Sequence, residues 1–255
     1  MKRYQFDYSR DIHHIAVVGL GGTGSQLARS IARLLFDMRE RRLQTPELMF
    51  IDPDVVEYKN VGRQMFTVAD IGGNKAEILA TRFNKALGLD ILSLVRPFSP
   101  NAVASHLHTT LLVGCVDNPI ARRQMAAAKI LWLDTGNHYD TGQVILGNAY
   151  DVETVQIAMK KANGTSIITA LPSPALVFPS LLEPDEPKPA LSDLSCADLV
   201  QRGEQHLYIN EFVALAASQY IYRLLHRQSI SSHMSYVSAD TGMIKPVLIT
   251  SEIVA

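Results

Sequence analysis

The stretch HHIAVVGLGGTGSQLARSIARLL, residues 13–35, decides the fold of this chain. It begins with an apolar run, passes through four glycines and a threonine, and ends with apolar residues at helical spacing. The pattern predicts a strand at about 14–19, a glycine-rich turn and a helix at about 24–42. Free backbone N–H groups and the positive end of the helix dipole meet at such a turn. It therefore predicts an anion site, which suits a dinucleotide and ATP equally.

Composition and charge favour a globular protein without a polyanionic partner. The chain has 255 residues, 47% of them hydrophobic, which suffices for a full core. The formal net charge is −1 with scattered Lys and Arg, so neither nucleic acid nor a membrane surface is expected as a partner. No apolar run approaches the ~20 residues of a membrane span, and residues 1–12 are too polar for a signal peptide. Two cysteines suit a reducing compartment, so we expect a cytoplasmic protein.

Strand and helix patterns alternate along the first half of the chain. Near-continuous apolar runs predict further strands at 47–54, 90–98, 109–118 and 129–137, with helices at 74–87 and 121–128. This alternation predicts an α/β fold with a doubly wound, mostly parallel, Rossmann-like sheet.

The second half of the chain changes character. Residues 141–150 predict an antiparallel strand, and the proline-rich residues 171–193 predict a long crossover loop, since prolines exclude regular helix and central strand. An apolar helix and two closing strands are expected at 206–228, 235–240 and 245–254. We therefore expect antiparallel strands to extend the sheet in the C-terminal half. The expected organisation is a single domain over 1–255, with a nucleotide-binding core at 13–150 and the loop, helix and closing strands at 151–255.

The glycine motif has two interpretations that the residues leave open. Gly19, Gly21 and Gly24 satisfy GxGxxG directly after a strand and before a helix, but the spacing alone also occurs in turns without a ligand. Asp52 lies at the end of the second strand, where a carboxylate accepts hydrogen bonds from a ribose hydroxyl. These features fit NAD as well as ATP.

Polar residues downstream separate the two nucleotides. Asn60, Arg63, Gln64 and Lys75 supply amides and cations that can neutralise a triphosphate and a leaving pyrophosphate. The alternative is a solvated polar loop before a helix. Asp117 follows the fourth strand, where it would bind Mg²⁺ or cap the helix that begins near residue 119.

Four segments together resemble a known family. VGLGGTGS, IDPDVVEYKNVGRQ, DIGGNKAEILATRFN and VGCVDNPIARR, in this order, resemble the adenylation domain of the ThiF/MoeB and ubiquitin-activating (E1-like) superfamily. The resemblance covers residues 13–150 and, more weakly, continues to about 228. The chain length and the segment SCADLVQRGEQHLYIN are similar to the compact ThiF-family proteins of bacterial PRTRC systems. The resemblance implies ATP and Mg²⁺, adenylation of the C-terminal glycine of a ubiquitin-like β-grasp protein, and a homodimer.

The resemblance also implies a role for each matching position. Arg63, Lys75 and Asp117 would be catalytic, and Asp117 would bind Mg²⁺. The nucleotide-binding positions would be Gly19, Gly21, Gly22, Gly24, Asp52, Asp54, Asn60, Arg63, Gln64, Lys75, Asp117 and Asn118.

The two cysteines receive different expectations. Cys196 follows the crossover loop, where similar enzymes place a cysteine that attacks the acyl-adenylate to form a thioester or acyl-persulfide. The alternative is a small residue packed at a helix start. Cys115 lies in an apolar strand and is expected in the core. ThiF and MoeB carry paired CxxC motifs for zinc, which are missing here, so no zinc is expected.

Three further points remain open at the level of sequence. Relatives provide an arginine near the N-terminus that reaches the partner subunit's triphosphate, and Arg3 or Arg10 is the candidate here. An NAD(P)-binding oxidoreductase is an alternative function, but it gives Arg63, Lys75 and Asp117 no role. The other alternative is a nucleotide-binding ThiF-like module without complete transfer activity.

Overall fold

Strands and helices alternate along the chain in the computed structural model, which describes residues 2–162, 164–183 and 206–253. The strands are β1 (Gln5–Phe6), β2 (His14–Val18), β3 (Glu47–Ile51), β4 (Leu92–Leu94), β5 (Thr110–Gly114), β6 (Leu131–Asn137), β7 (Thr141–Gly147), β8 (Ile167–Ile168), β9 (Ser232–Ser238) and β10 (Met243–Leu248). The α-helices are α1 (Gly22–Glu40), α2 (Lys75–Leu87), α3 (Pro119–Ala127), α4 (Val152–Lys161), α5 (Pro174–Val177) and α6 (Ile209–Leu225). Short 3₁₀ helices span Tyr58–Asn60, Val68–Asp70, Pro100–Ala102, Ala104–Thr109 and Pro179–Leu182.

Eight strands form one mixed sheet in the order β10-β9-β7-β6-β5-β2-β3-β4. The strands from β6 to β4 pair in parallel, and β7, β9 and β10 pair antiparallel. This confirms the predicted Rossmann-like α/β fold and its antiparallel extension. Strands β3 and β4 lie on one side of β2, and strands β5 and β6 lie on the other side. The carboxyl ends of β2 and β5 therefore flank the topological switch point, where ligands bind in such folds.

The parallel strands are apolar on both sides because both faces of the sheet are covered. In β2, Ile15 and Val17 belong to a large core with α1, α2 and α6, whereas Ala16 and Val18 belong to a second core with α3. This alternation explains the near-continuous apolar runs from which the strands were predicted. Within the described ranges, none of the helices combines the length and the apolar character that a bilayer crossing requires.

Besides the two-residue strands β1 and β8 and the short 3₁₀ helices, which were not predicted, the structure differs from the sequence prediction in three places. The strand expected at 90–98 is confined to Leu92–Leu94, and helix α4 was not predicted. The proline-rich residues do contain helix: α5 and the 3₁₀ helix that follows begin at Pro174 and Pro179. Proline suits a first helical position because the missing N–H would have no partner there. Residues 184–193 of the predicted loop lie outside the described residues.

Candidate functional site

A cavity of about 1140 Å³ opens at the carboxyl edge of the parallel strands, above the switch point. Segments that follow β2, β3 and β5 meet there. The predicted residues on its border are Gly19, Gly21, Gly22, Asp52, Asp54, Asn60, Gln64, Lys75, Asp117 and Asn118. Arg63 and Gly24 are not on this border, and Cys196 lies outside the described residues.

The glycines of the turn differ in why each position requires or tolerates the absence of a side chain. Gly19 has φ +84°, and a Cβ there would lie 2.7 Å from the carbonyl oxygen of Cys115. A Cβ on Gly24 would lie 1.8 Å from the carbonyl oxygen of Gly19, so Gly24 allows α1 to pack against the turn. A Cβ on Gly21 would meet only the amide nitrogen of Gln64, at 3.9 Å, and would otherwise project into open space. Gly21 is therefore the position where a ligand can approach the backbone closely.

The carboxylate of Asp52 ties the turn to the end of β3. Its Oδ2 accepts a hydrogen bond from the backbone N–H of Leu20, and its Oδ1 accepts one from Asp54 at 2.8 Å. Burial raises the pKa of Asp52, and these two hydrogen bonds oppose that rise. The carboxylate is thus fixed beside the turn and still borders the cavity.

Two amide side chains, those of Asn60 and Gln64, also border the cavity. Asn60 is buried, and its Oδ1 accepts the backbone N–H of Glu57 at 2.8 Å. The Oε1 atom of Gln64 is buried and has no hydrogen-bond partner among the described residues. A buried acceptor without a donor is uncommon, and here it borders a cavity that could hold one. Arg63 lies between these two residues in sequence.

Lys75 is the first residue of α2 and its side chain is only 9% exposed. Its Nζ lies 2.9 Å from Oδ2 of Asp54, whose side chain is 62% exposed. An ion pair with so open a carboxylate contributes little to stability. The lysine nevertheless places a fixed positive charge at the cavity wall.

The structure bears on one of the two interpretations of Asp117, the capping of α3. The side chain that caps α3 is Asn118, whose Oδ1 accepts the backbone N–H of Ala121 at 2.8 Å. The capping interpretation of Asp117 is therefore wrong. Asp117 borders the cavity directly after β5.

Three residues whose role the sequence analysis did not predict form a hydrogen-bonded group against the glycine turn. Oδ1 of Asn210 accepts hydrogen bonds from Thr23 Oγ1 at 2.9 Å and from Asn137 Nδ2 at 2.5 Å. A Cβ on Gly22 would lie 2.6 Å from Asn210, so this side chain packs directly against the turn. Thr23 lies inside the quoted glycine motif, but no local sequence signal links it to Asn137 of β6 and Asn210 of α6.

A buried ion pair joins Arg122, on the border of the cavity, to Asp134 of β6. Nε of Arg122 is 3.4 Å from Oδ2 of Asp134, and its Nη2 donates to the carbonyl of Thr135 at 3.3 Å. Burial raises the pKa of Asp134, and the Arg122 guanidinium acts in the opposite direction. Arg122 borders the cavity, so the pair holds one guanidinium at its wall.

The remaining predicted residues lie elsewhere or have other properties. Cys115 packs against the large core, as expected, and part of the residue also borders the cavity. Burial raises the pKa of its thiol to about 12, so it is protonated at neutral pH. Arg10 lies near the amino ends of the strands, with Nη1 3.0 Å from Nδ1 of His108, and Arg3 forms an isolated bridge with Thr250.

The sheet topology and the cavity define a Rossmann-like α/β protein with a ligand cleft at its switch point. Residues 9–163 match the ThiF family, and the chain belongs to that family. No curated protein matches the chain.

Crystal structures of Escherichia coli MccB share this fold. MccB with succinimide aligns with a TM-score of 0.60 and 14% identity over 93% of this chain and 64% of the MccB chain. MccB with ATP aligns with a TM-score of 0.59 and 15% identity over 94% of this chain and 65% of the MccB chain. MccB with AMPCPP and MccA aligns with a TM-score of 0.59 and 14% identity over 94% and 65%. The chain thus spans just under two thirds of these MccB chains, and at this identity the likeness shows the fold.

Proposed function

We propose that this protein uses ATP to adenylate the C-terminal glycine of a ubiquitin-like β-grasp protein. The observation that carries the proposal is the convergence of a glycine turn, a fixed carboxylate, two amides and a buried lysine on one cavity. Membership of the ThiF family and the MccB structures that contain ATP or AMPCPP support a nucleotide in this cavity. The ubiquitin-like partner rests on the sequence resemblance, including that to the PRTRC-system proteins.

The residues of the cavity suit ATP on chemical grounds. Asp52 binds the ribose, and the N–H groups of the turn and of the first turn of α1 receive the phosphates. Lys75 leaves its ion pair with Asp54 and binds phosphate oxygens instead. The side-chain amides of Gln64 and Asn60 also bind the nucleotide. Arg63 contributes when its side chain turns into the cavity.

The reaction joins the terminal carboxylate of the partner to the α-phosphorus of ATP. A carboxylate oxygen attacks that phosphorus, the bond to the β-phosphate oxygen breaks, and acyl-adenylate and pyrophosphate form. No protein base is needed because the carboxylate is ionised at neutral pH. Catalysis is then positioning and charge neutralisation, to which Lys75 contributes its cation. Asp117 would hold a Mg²⁺ ion, which would stabilise the charge on the departing pyrophosphate. The side-chain oxygen of Asn118 caps α3, and its side-chain NH₂ group donates hydrogen bonds to the nucleotide.

We extend the proposal to a second step and to the assembly. The thiolate of Cys196 attacks the acyl carbon of the adenylate, which releases AMP and leaves a thioester. Residues 1–255 act as one adenylation domain in a homodimer, in which Arg3 or Arg10 reaches the partner subunit's triphosphate.

Hydroxylamine trapping tests the proposal, because hydroxylamine converts an acyl-adenylate into a stable hydroxamate. The protein is mixed with ATP, Mg²⁺, hydroxylamine and a β-grasp protein that ends in glycine. Mass spectrometry should find the hydroxamate at the terminal glycine with wild type and the exposed control Asp90→Asn, and not with Asp117→Asn. ATP binding without hydroxamate from any candidate would instead favour a nucleotide-binding module.

A further inference from the structure

The cavity continues beyond the residues assigned to ATP, onto the antiparallel part of the sheet. Strand pairing sets Gln143 of β7 opposite Tyr236 of β9, and Tyr236 opposite Lys245 of β10. Gly136 of β6 pairs with Gln143, so one transverse row leads from Gly136 to Lys245. All four residues border the cavity. The row runs from Gly136, on the strand that adjoins the parallel part of the sheet, to Lys245 on the edge strand β10.

This side of the antiparallel strands faces away from helix α6. Val144 and Leu146 of β7 share a core with α6, whereas Gln143 projects to the opposite face. Tyr236 is 44% exposed and Met243, in the next row beside Lys245, is 53% exposed. Large, partly exposed side chains in a concave surface provide contact area for an extended peptide.

The charge that the antiparallel strands contribute to the cavity border is positive. Among the described residues of β7, β9 and β10 that border the cavity, the only charged side chain is Lys245. The acidic residues on the border are Asp52, Asp54, Glu57 and Asp117, and all follow strands of the parallel part. A peptide on the row therefore meets an ammonium group without a neighbouring carboxylate on these strands.

Resting on the proposed adenylation, we propose that Lys245 selects substrates with an acidic side chain shortly before the C-terminal glycine. Three steps between neighbouring strands separate Gly136 from Lys245, and steps of about 4.8 Å make about 14 Å. An extended peptide covers about 3.3 Å per residue, so this span corresponds to about four residues. With the terminal glycine beside Gly136, the selected Asp or Glu lies about four residues upstream and pairs with Lys245.

The test uses short synthetic peptides that end in two glycines and carry Glu, Gln or Lys about four residues before the C-terminus. The rate of ATP–pyrophosphate exchange is measured against peptide concentration with the full chain. Wild type should favour the Glu peptide over the Lys peptide by about five- to tenfold in kcat/KM, as expected for an exposed ion pair against a like-charge pair. Lys245→Glu should reverse this order, and added salt should reduce the preference in both proteins.

The matched control is Lys160→Glu, an equal charge change at an exposed lysine of α4 away from the cavity. It should keep the wild-type preference. Exchange with the same preference in wild type and Lys245→Glu would overturn the role of Lys245 and leave the adenylation proposal standing. Absence of exchange with every peptide, in a protein that does exchange with a β-grasp partner, would overturn the role of Lys245 alone. Absence of exchange with the peptides and with the β-grasp partner, while ATP binds, would overturn both proposals.

Discussion

The ammonium group of Lys75 lies 2.9 Å from the carboxylate of Asp54, yet the lysine is buried and the aspartate is open to solvent. The lysine is fixed because it begins helix α2, and its backbone N–H also donates to the Asp54 carbonyl at 3.0 Å. Phosphate oxygens can replace the exposed carboxylate without moving the lysine far. The pair therefore defines a cation held at the cavity wall before the nucleotide arrives.

Replacement of Lys75 by Met should remove this charge and keep most of the buried aliphatic chain. We expect ATP affinity to fall at least tenfold and pyrophosphate exchange to fall about 100-fold, as for other groups that stabilise developing charge. Isothermal titration and exchange assays measure the two effects. Lys85→Met, an exposed lysine in the last turn of the same helix, should behave like wild type in both assays.

Two glycines of the turn should respond differently to alanine. Gly21→Ala should fold normally, since the nearest atom to the new Cβ is 3.9 Å away, but it should weaken ATP binding by blocking the approach of phosphate. Gly24→Ala should lower the melting temperature, because its Cβ would overlap the Gly19 carbonyl. Thermal unfolding and ATP titration separate these outcomes. Equal ATP affinity in Gly21→Ala and wild type would place the phosphates elsewhere.

The two cysteines provide a matched pair for the thioester step. Cys196→Ala should abolish a thiol-sensitive covalent conjugate with the β-grasp protein and keep pyrophosphate exchange. Cys115→Ala should keep the conjugate, since burial raises the pKa of its thiol to about 12 and suppresses the reactive thiolate. Non-reducing gel electrophoresis detects the conjugate. A conjugate that survives in Cys196→Ala would contradict the assignment.

His233 should make the folded protein sensitive to acid. Burial lowers the pKa of His233 to about 4, whereas the unfolded chain titrates near the ordinary value of about 6.5. The unfolded state binds the proton first, so stability is lost as the pH falls from about 6.5 towards 4. Between pH 7 and pH 5 this residue should account for a loss of about 2 kcal/mol.

Urea unfolding at the two pH values measures this loss. The His233→Gln variant should show a pH dependence that is smaller by that amount. His226→Gln, at the end of α6, should retain the wild-type dependence. The same dependence in His233→Gln and wild type would show that other groups cause the acid sensitivity.

The parallel half of the fold could be predicted because its signals are local. In residues 13–35 the strand, the turn and the helix start follow one another, and the carboxyl ends of parallel strands bring their following loops together. The Asp52, Lys75 and Asp117 positions therefore meet at the predicted edge. Helix α4 also has a local signal, since Asp151 accepts the backbone N–H of Thr154, and the prediction omitted it.

Other features of the site depend on packing between distant segments. Asn137 and Asn210 are 73 positions apart and meet only when α6 returns to the sheet. The buried Oε1 atom of Gln64 likewise follows from the tertiary structure. The charge on the antiparallel strands depends on the register that sets Lys245 opposite Tyr236, which apolar patterning alone does not specify.

The most direct test of the central claim is ATP–pyrophosphate exchange with a β-grasp protein that ends in glycine, used intact and shortened by its terminal glycine. The proposed activity requires the terminal carboxylate to reach the α-phosphorus, so exchange should occur with the intact protein and disappear with the shortened one. Exchange that ignores the terminal glycine, or ATP binding without exchange for every candidate, would contradict adenylation at the C-terminus.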